Sequence, residues 1–182
     1  MPNWSAGNIR FRGKMKDILK CLKGSLKFCK YEFDEKKNEG RNVEKPAIVK
    51  DDYYIITVET PFTEEPEKTW CYISPTHRNF INLNFNGKPN FASAGIFRKD
   101  DDSLAIVVFD DFRAAWAVEP DPYVEMSKKY GIDIAIFTWE HGIGFSQKIV
   151  IVNGKLKIFE EKSYGNLYEE WMWNSEMPYL GG

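Results

Sequence analysis

An α+β domain, with two helices on one face of an antiparallel sheet, is the fold this sequence predicts. Three observations lead there. The hydrophobic patterns succeed one another as strand, helix, several strands, helix and strand. A length of 182 residues suits one well-buried domain better than two. No repeat, low-complexity tract or long linker divides residues 1–182.

The elements follow in chain order. In "NIRFR", Ile9 and Phe11 alternate with Asn8, Arg10 and Arg12, the mark of a half-buried strand, which Gly13 closes. Chain termini are usually frayed, so Trp4 just upstream is expected to cap the edge of the core and anchor the terminus. "KMKDILKCLKGSLKFCK" reads as an amphipathic helix: Met15, Ile18, Leu19, Leu22, Leu26 and Cys29 form its packing stripe. Gly24, which costs about 1 kcal/mol relative to Ala in a helix interior, marks a place to bend or end. Residues 34–46 are polar and without period, so a loop is expected within 31–50. "DYYIITVE", "TWCYI", "FINLNF" and "SLAIVVFDDF" are strand candidates rich in β-branched and aromatic residues. The prolines of "TPFTEEPE" interrupt the first pair, and Asn86-Gly87 and "KDDD" supply turns. "PDPYVEMSKKYG" has a proline start, helical spacing of Tyr123, Met126 and Tyr130, and a glycine stop. The strand "IDIAIFTWE" follows, then a hairpin turning at Asn153-Gly154 between two alternating runs. Residues 160–182 are an aromatic, acidic tail expected to pack on the domain. This order fits the ferredoxin-like type, extended by the C-terminal β-hairpin and the tail.

Composition excludes several classes. No stretch approaches the roughly 20 apolar residues of a membrane-spanning helix, and no charged region precedes an apolar signal core, so a cytoplasmic protein without a membrane partner is expected. Cys21, Cys29 and Cys71 are odd in number and form no CxxC pair, which suits reduced thiols. There is no phosphate loop, GxSxG elbow or GxGxxG, and the GxG of "EHGIGF" reads as a turn. His77 and His141 stand 64 residues apart with no ligand cluster around them, so neither a metal nor another cofactor is expected. Glu140 and His141, with Asp110 or Asp111, would make an acid–base set only if a turn brought the neighbours to one side. A polar strand end is preferred, and the chain is not expected to be an enzyme.

Charge is the stronger signal. The net charge of −2 conceals +7 on residues 1–30 and −9 on residues 51–182. Lys16, Lys20, Lys23, Lys27 and Lys30 recur at intervals of four, three, four and three, a second helical stripe flanked by Arg10 and Arg12. Only Asp17 balances them, whereas a merely soluble face mixes signs. The stripe suits a phosphate backbone or an acidic protein groove. On the acidic side, Asp100 to Asp102, Asp110, Asp111, Glu160, Glu161, Glu169 and Glu170 interleave with Phe112, Tyr164, Tyr168, Trp171 and Trp173. They suit a basic channel if those rings are exposed.

"MPNW" followed by "GNIRFRG", "THRNFI" at 76–81, the run from Ala115 to Gln147 and the terminal "MPYLGG" together resemble a YubB-like, ferredoxin-like family of phage and conjugative-plasmid proteins, streptococcal phage members in particular. The matching positions are Trp4, Trp116, Glu140, Gly142 and Phe145, with Ser5 where relatives carry cysteine. The resemblance implies a mobile-element setting and supplies no catalytic residues. With the divided charge, it suggests a type II-A anti-CRISPR protein, which would bind a type II RNA-guided nuclease and its guide RNA and impair DNA recognition or guide integrity. A nucleic-acid-binding accessory protein and a small metal-dependent hydrolase using Glu140, His141 and the Asp110–Asp111 pair are the alternatives.

Overall fold

Alternation around Ile9 and Phe11 builds a strand, β1 (Trp4–Gly13), that lies in the middle of a sheet. The structure is a computed structural model that describes residues 4–34, 38–81, 84–85, 88–89, 91–98, 103–140 and 144–163. After β1 come α1 (Met15–Ser25), β2 (Leu26–Asp34), β3 (Glu39–Pro46), β4 (Ile48–Asp52), β5 (Ile55–Glu59), β6 (Thr69–Ile73) and β7 (Asn79–Ile81). They are followed by β8 (Asn84–Phe85), β9 (Lys88–Pro89), β10 (Phe91–Arg98), β11 (Ala105–Ala115), α2 (Asp121–Tyr130), β12 (Asp133–Glu140), β13 (Phe145–Val152) and β14 (Lys155–Ser163). Nine strands run antiparallel throughout in the order β14-β13-β12-β1-β11-β7-β6-β2-β3, and β10 leaves this path at β11 to carry β5, β4, β8 and β9.

The expected ferredoxin-like α+β class is therefore wrong. The protein is mostly β, and its two α-helices among the described residues are only 11 and 10 residues long. Two misread segments account for much of the difference. The helix expected over 14–30 stops at Ser25, where the Leu26 N–H bonds the Leu22 carbonyl. Beyond it, Phe28, Tyr31 and Phe33 favour a strand, and Leu26 and Phe28 are buried as strand alternation demands. The loop expected at 31–50 is instead the end of β2, all of β3 and the start of β4. β3 is an edge strand in which Glu39, Arg41, Glu44, Lys45 and Pro46 are charged or proline and only Val43 is a large apolar residue, so it carries no hydrophobic alternation to read. The Asn86-Gly87 turn, the "KDDD" turn, His141, Gly142 and the tail from residue 164 lie outside the described residues.

One face of the sheet is apolar. Ile9 and Phe11 of β1 stand in register with Phe109 and Val107 of β11 and with Ile136 and Ile134 of β12, and all six are buried. Ile149 and Ile151 of β13 continue the row. α1 packs here through Met15, Ile18, Cys21 and Leu22, and α2 through Tyr123 and Met126. Full burial of each large aliphatic or aromatic chain contributes roughly 1.5–3 kcal/mol. The opposite face carries the alternate residues, Arg10 and Arg12 of β1 and Ala135 and Phe137 of β12.

Two local irregularities position surface groups. Opposite Asn8, β11 carries two residues where β1 carries one, so Asp110 and Asp111 form a bulge and both are exposed. Gly7, beside it, faces the Phe137 carbonyl so closely that a Cβ would collide with backbone; only glycine fits.

Candidate functional site

The lysine stripe splits at Ser25. Lys16, Lys20 and Lys23 lie one helical turn apart on α1, pointing away from the side occupied by Ile18 and Leu22, and all three are exposed. None has an ion-pair partner among the described residues. Lys27 and Lys30 sit on β2, where an odd and an even position face opposite sides of the sheet. Each meets a carboxylate: Lys27 Nζ lies 3.8 Å from Glu44 and Lys30 Nζ 3.2 Å from Glu65. The Lys68 and Lys30 ammonium groups bonded to Glu65 hold its carboxyl below its usual value.

Arg10 and Arg12 do not flank the lysines, because β1 turns its even-numbered side chains away from the helices. Arg10 Nε donates to Asn8 Oδ1 at 3.2 Å. Arg12 donates from Nε and Nη2 to one oxygen of Asp133, at 3.0 and 2.7 Å. Of the seven cations read from the sequence, three make a common surface.

Packing supplies other cations. Glycine at 24 lets α1 approach α2 so closely that a Cβ there would strike the Tyr130 hydroxyl. Lys129 lies over the Tyr130 ring, 5.0 Å from its centroid, and its charge acts on Cys21 of α1. Lys128 turns toward the β13–β14 hairpin, its Cγ against Gly154, while its ammonium pairs with Glu125 at 2.7 Å. Lys155 follows that turn and is exposed. The turn itself is held by Asn153 and Gly154, both at positive φ, with Ser127 Oγ accepting the Gly154 N–H. Lys16, Lys20 and Lys23 of α1, Lys128 and Lys129 of α2 and Lys155 of the hairpin thus lie along three successively packed elements, an arc of lysines. The "SKKYG" end of α2 is the only sequence signal for its second half, and it looks like ordinary charge complementing a helix C-terminus.

Of the positions that carry the sequence resemblance, Trp4, Trp116, Glu140 and Phe145 gather at one end of the sheet. Trp4 is half exposed and stacks edge-on with Phe80 at 5.5 Å, so it rests on the helix-free face and does not cap the core. Ser5, buried beside it, donates from Oγ to the Trp116 carbonyl at 2.7 Å. That bond steadies Trp116 at φ 73°, a left-handed conformation costing a bulky residue about 1–3 kcal/mol. Glu140 is buried at the end of β12 and pairs in register with Phe145 of β13.

The acid–base set is not assembled by the described residues. Glu140 sits on the helix-covered side and is buried, while Asp110 and Asp111 are exposed at the bulge two strands away, with Asp111 accepting from Arg113 at 3.1 Å. No group of three His, Cys, Asp or Glu among the described residues is placed to hold a metal. On the acidic side Phe112 is core, while Glu160 and Glu161 are exposed on β14. Cys21, Cys29 and Cys71 are free and buried; burial pushes the Cys21 thiol up to about 12 and raises the other two. No described helix is long and apolar enough to cross a membrane. Comparison with protein-family models, characterised protein sequences and solved structures finds no match.

Proposed function

We propose that this protein is an anti-defence inhibitor that binds a type II RNA-guided CRISPR nuclease with its guide RNA and impairs DNA recognition or guide integrity. The observation that carries the reading is the unpaired lysine surface of α1 on a chain whose net charge is negative. Such a target presents both an exposed RNA backbone and a deep basic channel, so each sign of charge has a counterpart. The sequence resemblance to YubB-like phage and plasmid proteins supports this reading, with the bacterial cytoplasm, where a mobile element meets the host nuclease, as the proposed setting.

A DNA-cleavage assay with a streptococcal type II effector tests it, the protein being added before or after guide loading while guide length is followed on a gel. Inhibition is expected, and the order of addition separates blocked loading from blocked DNA binding or guide damage. Unchanged cleavage across several effectors of that genus refutes the proposal. The same lysine surface favours one second reading, a nucleic-acid-binding accessory protein with no nuclease partner.

A further inference from the structure

We propose that the ammonium arc formed by α1, the C-terminal turn of α2 and the β13–β14 hairpin is a docking surface for the phosphate backbone of a base-paired RNA stem, held without regard to sequence. The inference names the partner of the surface on which the inhibitor reading rests.

Charge density is the first argument. Lys16, Lys20, Lys23, Lys129 and Lys155 have no ion-pair partner among the described residues, and the acids nearest the arc are few: Glu125 is taken up by Lys128 and Asp133 by Arg12. Asp17, partly buried in the first turn of α1, completes the acids carried by that helix. Tertiary packing has added lysines from two other elements to those of α1, which one amphipathic helix does not achieve alone.

The second argument is what the arc lacks. Among the described residues α1, α2 and the 153–155 turn carry no exposed large hydrophobic residue; the nearest in sequence are Leu156 and Phe159 of β14, just beyond Lys155. Protein interfaces take most of their energy from buried aromatic or aliphatic anchors, and an acidic protein groove would find none on the two helices and only Leu156 beside Lys155 on the hairpin. Single-stranded RNA is held by aromatic faces on which bases stack, and the one ring in the arc, Tyr130, is half-buried beneath Lys129. A duplex backbone asks only for dense positive charge. Lysines act there as point charges, and no arginine in the arc supplies a planar fork to read a base edge.

The third argument is selectivity within the chain. Lys27 and Lys30 belong to the same sequence run but carry their own carboxylates, so they are excluded from the surface. Lys129 and Lys155 are included although nothing in the run announces them.

Fluorescence anisotropy of the whole protein with two labelled RNA hairpins of equal length and unrelated sequence tests this across a salt series. Equal affinities are expected, with log K falling against log salt at a slope of roughly −4 to −5 for about five phosphate contacts. Lys129→Ala and Lys155→Ala should each reduce the steepness by about 1, whereas Lys27→Ala and Lys30→Ala should leave it unchanged. All four side chains are at least partly exposed, and thermal unfolding of each variant confirms that it is folded. No salt-dependent binding at low salt, a strong preference for one hairpin, tighter binding of an unpaired strand, or slopes insensitive to Lys129 and Lys155 would overturn the proposal. Binding of naked RNA without inhibition of any nuclease removes the inhibitor reading and keeps this one; inhibition without RNA binding does the reverse.

Discussion

Two halves of one lysine run meet opposite fates. Before Ser25, Lys16, Lys20 and Lys23 share one helical face, exposed and unpaired; after it, Lys27 and Lys30 alternate across a strand and each faces a glutamate. Spacing is the same on both sides of the boundary, so periodicity does not decide which charges are free to bind. Secondary structure does, because a helix gathers residues three and four apart while a strand separates odd from even.

The comparison can be broken most severely in the core beneath the second half. Phe28 is fully buried on β2, and Phe28→Ala should cost about 3–5 kcal/mol in chemical denaturation. A value near zero would mean that residues 26–34 are not held as this strand. Next in size is the effect on inhibition. Lys16→Glu, Lys20→Glu and Lys23→Glu combined should abolish protection in the cleavage assay, and Lys27→Glu with Lys30→Glu should retain most of it; equal loss from both sets would erase the distinction between the halves.

A smaller effect depends on pH. Because Lys68 and Lys30 hold the Glu65 carboxyl below its unfolded value near 4.5, the stabilisation is present above that pH and lost as acid protonates the group. The Tm difference between wild type and Lys30→Met should therefore shrink as pH falls below about 4.5. A difference that stays constant from pH 7 to pH 3 would detach Lys30 from Glu65. Least of all should be Lys27→Ala, which removes a partly exposed pair at 3.8 Å and should change stability by no more than about 0.5 kcal/mol. Measured destabilisation several times larger would give the strand half an electrostatic role it lacks here.

Strong local patterns were legible and tertiary decisions were not. α2 starts near Pro122 and stops at Gly131, which adopts the left-handed conformation that glycine favours, and the 153–154 turn is where Asn-Gly should place it. The end of α1 was missed because Leu26 and Cys29 satisfy a helical spacing while Leu26 and Phe28 also satisfy a strand, and only packing chooses between them. β10 went unread because its small residues, Ala92, Ser93, Ala94 and Gly95, weaken any alternation. Asp110 and Asp111 suggested a catalytic pair, yet a bulge is what places two adjacent acids on the surface. The site was half visible: Lys16, Lys20 and Lys23 declared themselves by spacing, but Lys129 joins them through the packing of α2 against α1 beside Gly24.

The central position of β1 also sets a timetable. β1 finds both its neighbours, β11 and β12, more than 90 residues downstream. At synthesis rates of about 5–20 residues per second, β1 waits roughly 5–20 s with an apolar face and both backbone edges unpaired. Completion of the sheet's middle is thus deferred until nearly the whole described chain has emerged: a translation product ending before Ala105 leaves β1 with neither neighbour, and one ending before Asp133 leaves it with β11 alone.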